Sequence, residues 1–431
     1  MPKAPSADAD GGEPQPVAGG GLLHRRALLR RGLVLASATA AGASMAQSGN
    51  GAGEPRPPWM NTPGEPFSGY GQPSRHEVAL MRTIAGNRLL PGNGVSWTPL
   101  EDLEGMITPS GLHFERHHNG VPQIDPKRHR LLIHGLVKQP LQFAAADLER
   151  YPMRSHLGFI ECGGNSNAGW HPEPIQRSVG GFHGLVSCNE WTGVPVSVLL
   201  NEARLDPKAA WAIAEGGDAF AMNVSLPLAK LMDDALVALY QNGEPIRPEH
   251  GYPLRLVVPG WEGVLNVKWL RRLHLSAEPV MARNETAKYT ELQPDGRARQ
   301  FTFVMEAKSL ITSPSPGLRL HGPNVYELKG LAWSGRGRIR KVEVSADGGN
   351  SWATAALQDP VLPRCFTRFR AAWRWSGEPA VLKSRATDET GYVQPEREVL
   401  IKERGLNGYF HYNAIVAWAV DAEGALTHVY A

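Results

Sequence analysis

The sequence predicts an α+β protein with two globular domains: a domain of mixed sheets and short helices over residues 76–295, and an immunoglobulin-like β-sandwich over residues 296–431. Up to about residue 295, short strand patterns alternate with short helix patterns. Beyond about residue 300, several short strand patterns follow one another. Glycine (47) and proline (35) are abundant while charged residues make up only 20% of the chain. This composition favours loops and strands over long surface helices.

The first domain shows some apolar runs that are typical of strands and others that are typical of helices. The predicted strands and helices, in chain order, are a strand at 130–134, helices at 196–203 and 226–232, and strands at 254–259 and 264–275. The last two strands flank a tight turn at Gly260-Trp261-Glu262-Gly263. Because no G-x-G-x-x-G motif lies between a strand and a helix, the sequence does not support a dinucleotide-binding fold.

The second domain shows a different pattern, in which strands dominate. The predicted strands are 325–333, 339–345, 352–356, 366–375 and 380–387. Asp347-Gly348-Gly349-Asn350 separates two of them, which is a strong signal for a β-hairpin. Short strands at this spacing over roughly 100 residues predict a β-sandwich.

The amino-terminal segment has the pattern of an export signal. Arg25-Arg26 precedes an apolar stretch of small residues at 32–46, as in signals that are later cleaved. The paired arginines favour the twin-arginine route, which predicts a periplasmic protein. A membrane anchor is the alternative, but the stretch is shorter than the roughly 20 apolar residues that span a bilayer. We therefore predict a signal at 1–46 and a Gly/Pro-rich arm at 47–75, with no membrane-bound mature form.

Charge and cysteine content narrow the class of protein further. The net charge is +3, and no basic run in the body of the chain suggests a nucleic-acid-binding face. Cys162, Cys188 and Cys365 are an odd number of cysteines, whereas a disulfide scaffold shows a denser, even set. At least one thiol is therefore predicted to be unpaired.

Cys162 has the most distinctive local context. The apolar run Phe159-Ile160 leads to Glu161-Cys162-Gly163-Gly164, and paired glycines allow a bulky group to approach the backbone closely. The thiolate is a candidate nucleophile, a candidate soft-metal ligand or a candidate disulfide partner of Cys188. The residues around it also fit an inert buried cysteine, so the local pattern leaves these alternatives open.

Two further segments carry basic and imidazole side chains. Arg116-His117-His118 fits an oxyanion or phosphate contact, and it equally fits a solvated loop. His250-Gly251-Tyr252-Pro253-Leu254-Arg255 is followed by Val267-Lys268-Trp269. This second group suits a ligand that carries a phosphate.

Taken in order, these segments resemble the sulfite oxidase family of molybdenum enzymes. Arg116 and His118 match its R-x-H, Cys162–Asn165 its C-x-G-N, and the later segments its H-G-x-P-x-R and V-K-W. The resemblance covers about residues 76–425. It implies a molybdopterin-binding catalytic domain at 76–295 and a β-sandwich at 296–431 through which two chains dimerise.

The resemblance also implies a role for each matching residue. Cys162 becomes the equatorial ligand of molybdenum, which two sulfurs of the pyranopterin dithiolene also bind. The residues implied to hold the pterin and its phosphate are His118, His250, Arg255 and Lys268. The residues implied to face an anionic substrate are Arg116, Arg338, which the second domain would extend into the pocket, and Arg177.

Within the family, Val258–Gly263 and Asp388–Pro395 are most similar to the molybdenum subunits of bacterial sulfane dehydrogenases. Met222 stands where sulfite oxidases have a tyrosine, which favours a substrate other than free sulfite. No C-x-x-C-H haem motif is present, so the resemblance implies a separate c-type cytochrome as electron acceptor and a sulfur-carrier protein as the source of substrate. A periplasmic reductase of oxygenated sulfur compounds and a cofactor-free binding protein are the alternative functions.

Overall fold

The computed structural model describes residues 16–23, 57–300 and 303–431. The described residues from 81 onward form one compact unit together with 16–23, and residues 57–80 belong to another unit. Arg25-Arg26 and the apolar stretch 32–46 of the predicted export signal lie outside the described residues. No helix in the described part of the chain is long and apolar enough to cross a membrane.

The secondary structure consists of many short strands and a few short helices. Two amino-terminal strands are β1 (Pro16–Ala18) and β2 (Leu22–Leu23). The strands of the first domain are β3 (Thr83–Gly86), β4 (Gly94–Trp97), β5 (Glu115–His117), β6 (Leu131–Gly135), β7 (Leu141–Phe143), β8 (Arg154–Glu161), β9 (Val186–Pro195), β10 (Trp211–Gly216), β11 (Asn223–Pro227), β12 (Leu236–Gln241), β13 (Glu244–Pro245), β14 (Arg255–Val257) and β15 (Leu270–Ser276). Its helices are α1 (Ala145–Leu148), α2 (Val179–His183), α3 (Val196–Ala203), α4 (Leu228–Asp233) and α5 (Arg283–Lys288).

Strands dominate the rest of the chain. A small hairpin, β16 (Glu291–Leu292) and β17 (Ala298–Arg299), follows α5. The strands of the second domain are β18 (Lys308–Ser313), β19 (Asn324–Trp333), β20 (Ile339–Ser345), β21 (Ala353–Thr354), β22 (Ala356–Leu357), β23 (Thr367–Trp375), β24 (Ala380–Asp388), β25 (Ala417–Val420) and β26 (Leu426–Val429). Helix α6 (Arg397–Arg404) lies between β24 and β25.

The first domain contains one larger mixed sheet, one larger antiparallel sheet and a small one. One sheet has the strand order β11-β10-β15-β6-β7, in which only the β15–β6 pair is parallel among the described strands. Another has the order β13-β12-β9-β8, with β14 paired to β12. Apolar side chains such as Leu131, Leu200 and Leu273 are fully buried in the core that these sheets share with the helices. The small sheet β3-β4-β5 carries the Arg116-His117 segment.

The second domain is a β-sandwich, as predicted. One sheet has the order β1-β2-β23-β19-β18, with β22 paired to β23, and the other has the order β21-β20-β24-β25-β26. Their inner faces enclose a single core that contains Trp333, Trp373 and Trp418, each at most 1% exposed. The predicted hairpin is confirmed, because β20 pairs antiparallel with β21 across the Asp347–Asn350 turn. The α+β fold class is thereby confirmed.

Two of the predicted elements of the first domain differ from the structure. The helix predicted at 226–232 is Leu228–Asp233, because Pro227 ends the preceding strand and its extended backbone sets the helix start. The strand predicted at 264–275 is divided into a 3-10 turn at Gly263–Leu265 and the strand β15. An apolar run cannot distinguish a buried turn from a buried strand by periodicity alone.

The segment 16–23, which lies inside the predicted export signal, adds two short strands to the sandwich. Leu22 and Leu23 pair with Trp373 and Ala372 of β23, and both leucines are buried. A Cβ atom on Gly21 would lie 2.0 Å from the carbonyl oxygen of Arg374. Only glycine therefore allows this close approach. The sequence pattern of a leader gave no indication of these strands.

Candidate active site

Cys162 lies where β8 ends, at the boundary between the two domains. Its backbone N–H donates to the carbonyl oxygen of Leu185 at 2.9 Å, and the N–H of His411, from the second domain, donates to the carbonyl oxygen of Gly163 at 2.7 Å. A Cβ atom on Gly163 would lie 1.9 Å from a carboxylate oxygen of Glu262. The strand therefore delivers the thiol to a fixed position, and a larger residue in place of Gly163 would have to displace the Glu262 side chain.

Two adjoining cavities meet at this cysteine. The narrower one has a volume of about 100 Å³ and the wider one about 480 Å³. The residues that line both are Arg116, His118, Cys162 and Tyr289. The narrower cavity extends to His250, Arg255 and Lys268, while Arg177 lines the wider one. Seven of the eight predicted site residues thus lie around a common space.

The narrower cavity is lined by a buried group of cations. Arg255 is 4% exposed, and its two terminal nitrogens donate to the carbonyl oxygens of His250 and Asn266, each at 2.8 Å. Lys268 Nζ lies 2.9 Å from His117 Nδ1 and also donates to the carbonyl oxygen of Glu249 at 3.1 Å. His250 Nδ1 contacts Gln241 Oε1 at 2.9 Å, which fixes the ring.

The electrostatics of this group favour an anionic ligand. Burial lowers the pKa of Lys268 to about 7, and the charge of Arg255 adds to this effect. Burial lowers the pKa of Arg255 to about 9 and that of His118 to about 3. Each shift expresses the cost of holding positive charge in a desolvated space. A phosphate group placed there would offset that cost, because it supplies the missing negative charge.

Unpartnered polar atoms support the fit to a molybdopterin cofactor. His250 Nε2 and Arg255 Nε are buried and have no hydrogen-bond partner among the described residues. Buried polar atoms without partners are uncommon in folded proteins, and both of these belong to residues that line the narrower cavity, where a ligand would reach them. Together with a thiol that opens onto the same cavity, these atoms match a cofactor that has a phosphate at one end and a soft metal at the other.

A nucleophile, a disulfide partner and an inert core residue are roles of Cys162 that fit the structure less well. Burial raises the pKa of its thiol to about 11, whereas a cysteine nucleophile needs a lowered pKa. A disulfide with Cys188 is contradicted, because the Cys188 sulfur lies 3.2 Å from that of Cys365 instead. Cys162 is also only half-buried and lines both cavities, which does not suit an inert core residue.

The wider cavity has cationic and aromatic walls. Arg177 and Lys288 line it, and Tyr409 and Phe410 enter it from the second domain. The backbone N–H groups of Tyr409 and Phe410 donate to Glu291 Oε1 at 2.8 and 2.7 Å, which holds this segment in place. A cavity with positive charges on one side attracts anionic ligands.

Arg338, which was predicted to extend into the substrate pocket, lies on the surface in this structure. Its side chain is 54% exposed and pairs with Glu389, the nitrogen and oxygen being 3.7 Å apart. It does not line either cavity. The next residue, Ile339, begins β20, is 3% exposed and packs in the sandwich core, whereas Arg338 precedes the strand and is exposed. The second domain contributes aromatic side chains to the cavity instead.

Met222 and Tyr289 define the surroundings of the thiol. Met222, which stands where the resemblance places the tyrosine of sulfite oxidases, lines the narrower cavity and carries no hydroxyl. Tyr289, which the sequence analysis missed, follows α5 and stacks on Phe410 with ring centres 5.1 Å apart. Burial, followed by the nearby charge of Cys162, raises the pKa of its hydroxyl. A single tyrosine after a six-residue helix has no motif that could have identified it.

Comparison with known proteins identifies the class. A model of the oxidoreductase molybdopterin binding domain matches residues 118–284, and one of the Mo-co oxidoreductase dimerisation domain matches residues 299–417. Mouse mitochondrial sulfite oxidase is 32% identical over 323 residues, which cover 68% of this chain and 58% of that enzyme. The tomato (Solanum lycopersicum) NADH nitrate reductase is 30% identical over 342 residues, which cover 69% of this chain and 37% of that enzyme.

The chain belongs to the sulfite oxidase family of molybdopterin-dependent oxidoreductases. It is also similar to a solved structure, that of the sulfane dehydrogenase SoxCD from Paracoccus pantotrophus. The identity is 44% and the TM-score 0.83, and the match covers 88% of this chain and 99% of that chain. The family and cofactor that the motifs implied are therefore confirmed.

Proposed function

We propose that this protein oxidises sulfane sulfur attached to a carrier protein and passes the electrons to a c-type cytochrome. One observation carries the proposal, namely the wide, cationic cavity that opens onto Cys162. Its volume of about 480 Å³ lies in the range of cavities that enclose ligands much larger than a sulfite ion. An extended peptide end that carries an anionic sulfur group would occupy such a space. The likeness to a sulfane dehydrogenase supports the same interpretation.

The residues of the narrow cavity would bind different parts of the cofactor. Cys162 would bind the metal, and His118, His250, Arg255 and Lys268 would hold the pterin and its phosphate. When bound, the molybdenum cofactor supplies two-electron oxygen-atom transfer chemistry. The cysteine must lose its proton on binding the metal. Because its pKa is about 11 without the metal, cofactor insertion is expected to release that proton.

The residues of the wide cavity would place the substrate. Arg116 Nη1 donates to the carbonyl oxygens of Gly94, at 3.3 Å, and His117, so its guanidinium is fixed beside the thiol. Donors that are fixed in advance stabilise the charge that develops on substrate oxygens without reorganisation during the reaction. Arg177 and Lys288 would attract the anionic substrate. Tyr289 keeps its proton at neutral pH because its pKa is raised, so it is a hydrogen-bond donor near Cys162.

The proposal includes a location and a dimeric state. Electron transfer to a c-type cytochrome fits a periplasmic protein exported by the twin-arginine route, for which the paired Arg25-Arg26 is the support. The match of residues 299–417 to a dimerisation domain supports a homodimer.

The test is to purify the full-length protein with its copurifying partners and to measure molybdenum and cytochrome c reduction. A carrier protein with a cysteine persulfide, free sulfite and thiosulfate would be compared as substrates, and reduction of methionine sulfoxide would be assayed in parallel. We expect the highest kcat/KM with the carrier-bound sulfur. A higher kcat/KM with free sulfite, or activity only as a sulfoxide reductase, would contradict the proposal.

A further inference from the structure

A buried ion pair joins the second domain to the residue directly before Cys162. Lys308, the first residue of β18, is 1% exposed, and Glu161, the last residue of β8, is 2% exposed. Lys308 Nζ donates to Glu161 Oε1 at 3.2 Å. The pair lines neither of the two cavities.

Further hydrogen bonds extend this pair to both sides of Cys162. The indole N–H of Trp333 donates to Glu161 Oε2 at 2.7 Å, and the Asn165 side-chain amide donates to Oε1 at 2.9 Å. Lys308 Nζ also donates to Ser166 Oγ at 2.6 Å. The ammonium group therefore contacts both the residue before the cysteine and the end of the loop that follows it.

Stability alone does not explain an ion pair at this position. Desolvating two charges costs about as much as their attraction returns, and well-packed apolar residues are often equally stable. What the pair does supply is directional bonds to defined atoms. Ser166 has a left-handed backbone conformation with φ of 63°, which a non-glycine residue adopts at a cost unless its surroundings hold it. The hydrogen bond from Lys308 is one of the contacts that hold Ser166 in place.

We propose that Lys308 is a positioning residue, through which the second domain fixes the Cys162 loop and so sets the orientation of the metal-binding thiolate. The proposal rests on the assignment of Cys162 as the molybdenum ligand. It gives the β-sandwich a role in the metal site that is separate from dimerisation. Its effect on turnover is indirect, because Lys308 acts through Glu161 and Ser166.

The experiment compares two variants with a matched control in the full-length holoprotein. Lys308→Met leaves the Glu161 carboxylate buried and unpaired, whereas Glu161→Gln/Lys308→Met leaves no charge unpaired. The control is Lys341→Met, because the wild-type Lys341 side chain is 43% exposed and pairs with Glu343 on the surface. Molybdenum content, the electron paramagnetic resonance spectrum of the protein poised at Mo(V) with a chemical reductant, kcat and KM would be measured for each.

We expect both Lys308 variants to retain molybdenum and to show shifted or multiple Mo(V) spectra, while the control matches the wild type. The kcat should fall about tenfold to hundredfold, since small displacements of reacting groups have effects of this size, and KM should stay unchanged. If Lys308→Met does not fold, the double variant decides alone.

A wild-type spectrum with a kcat within about twofold of the wild type in the double variant would overturn the proposal. That result would leave the assignment of Cys162 intact. A wild-type protein that lacks molybdenum would instead refute the assignment of Cys162 and, with it, both proposals.

Discussion

The two sides of Cys162 are built in different ways. The cations of the narrow cavity come mainly from two short segments, residues 250–255 and 267–269, whose strand and turn place them together. The walls of the wide cavity come from separate parts of the chain. They include Arg177 just before α2, Tyr289 just after α5 and Tyr409 from the second domain. The comparison teaches that the residues predicted to hold the cofactor lie mainly on contiguous motifs, whereas the walls of the wide cavity are assembled only by the tertiary fold.

The cofactor side should show the largest effect of a single substitution after the metal ligand itself. Arg255→Met removes a buried charge that would contact the phosphate, and such charge-assisted hydrogen bonds contribute about 1.5–3 kcal/mol each. We expect cofactor affinity to fall about tenfold to hundredfold, with turnover lost in proportion to molybdenum content. Metal analysis of the purified variant measures this. Full cofactor content in the variant would show that Arg255 does not bind the cofactor.

On the substrate side, Arg177→Gln should change kinetics without changing cofactor content. We expect kcat/KM for the carrier-bound substrate to fall about tenfold to hundredfold, because one cation that attracts and holds the anion is lost. Steady-state kinetics per molybdenum measure this effect. Arg150→Gln is the matched control, since the Arg150 side chain is 77% exposed. Equal kcat/KM values for the two variants would exclude Arg177 from substrate binding.

The pH dependence of stability tests the charge of the cofactor side. In the cofactor-free protein, the pKa of Lys268 is about 7, against about 10.4 in an unfolded chain. Between these values the unfolded chain binds more protons, so the free energy of unfolding should rise with pH. We expect the wild type to gain stability relative to Lys268→Met between about pH 7 and about pH 10. Urea unfolding at several pH values measures this difference, and a constant difference would contradict the lowered pKa.

The smallest effect is expected for Arg338→Gln. Because Arg338 is half-exposed and pairs with Glu389 on the surface, its loss should leave kcat/KM within about twofold of the wild type, as for most surface pairs. Steady-state kinetics with the carrier-bound substrate check this. A decrease in kcat/KM as large as that for Arg177→Gln would indicate that Arg338 binds the substrate.

Much of the fold could be predicted from the sequence because the relevant signals are local. The hairpin at Asp347–Asn350 and the helix Val196–Ala203 depend on neighbouring residues, and the structure confirms both. The strands at Pro16–Leu23 could not be predicted, because β2 pairs with β23, more than 300 residues away, and β1 in turn pairs with β2. Their glycine-rich sequence has no strand periodicity.

The candidate site follows the same division. Cys162 and the cations of the narrow cavity were identified from short motifs, and the structure brings them together. Arg338 lines neither cavity, and the resemblance indicated its position in the chain but not the direction of its side chain. Tyr289 and Lys308 could not be found from the sequence, since their importance depends on contacts with Phe410 and with Glu161 across the domain boundary.

The most direct test of the metal assignment is the molybdenum content of Cys162→Ser. A serine hydroxyl cannot supply the soft thiolate that this metal site requires, so we expect the variant to fold, to lose most of its molybdenum and to have no measurable turnover. The double variant Cys188→Ser/Cys365→Ser is the control, because neither of these cysteines lines the narrow or the wide cavity and the metal should be retained if the variant folds. Wild-type molybdenum content and turnover in Cys162→Ser would contradict the assignment.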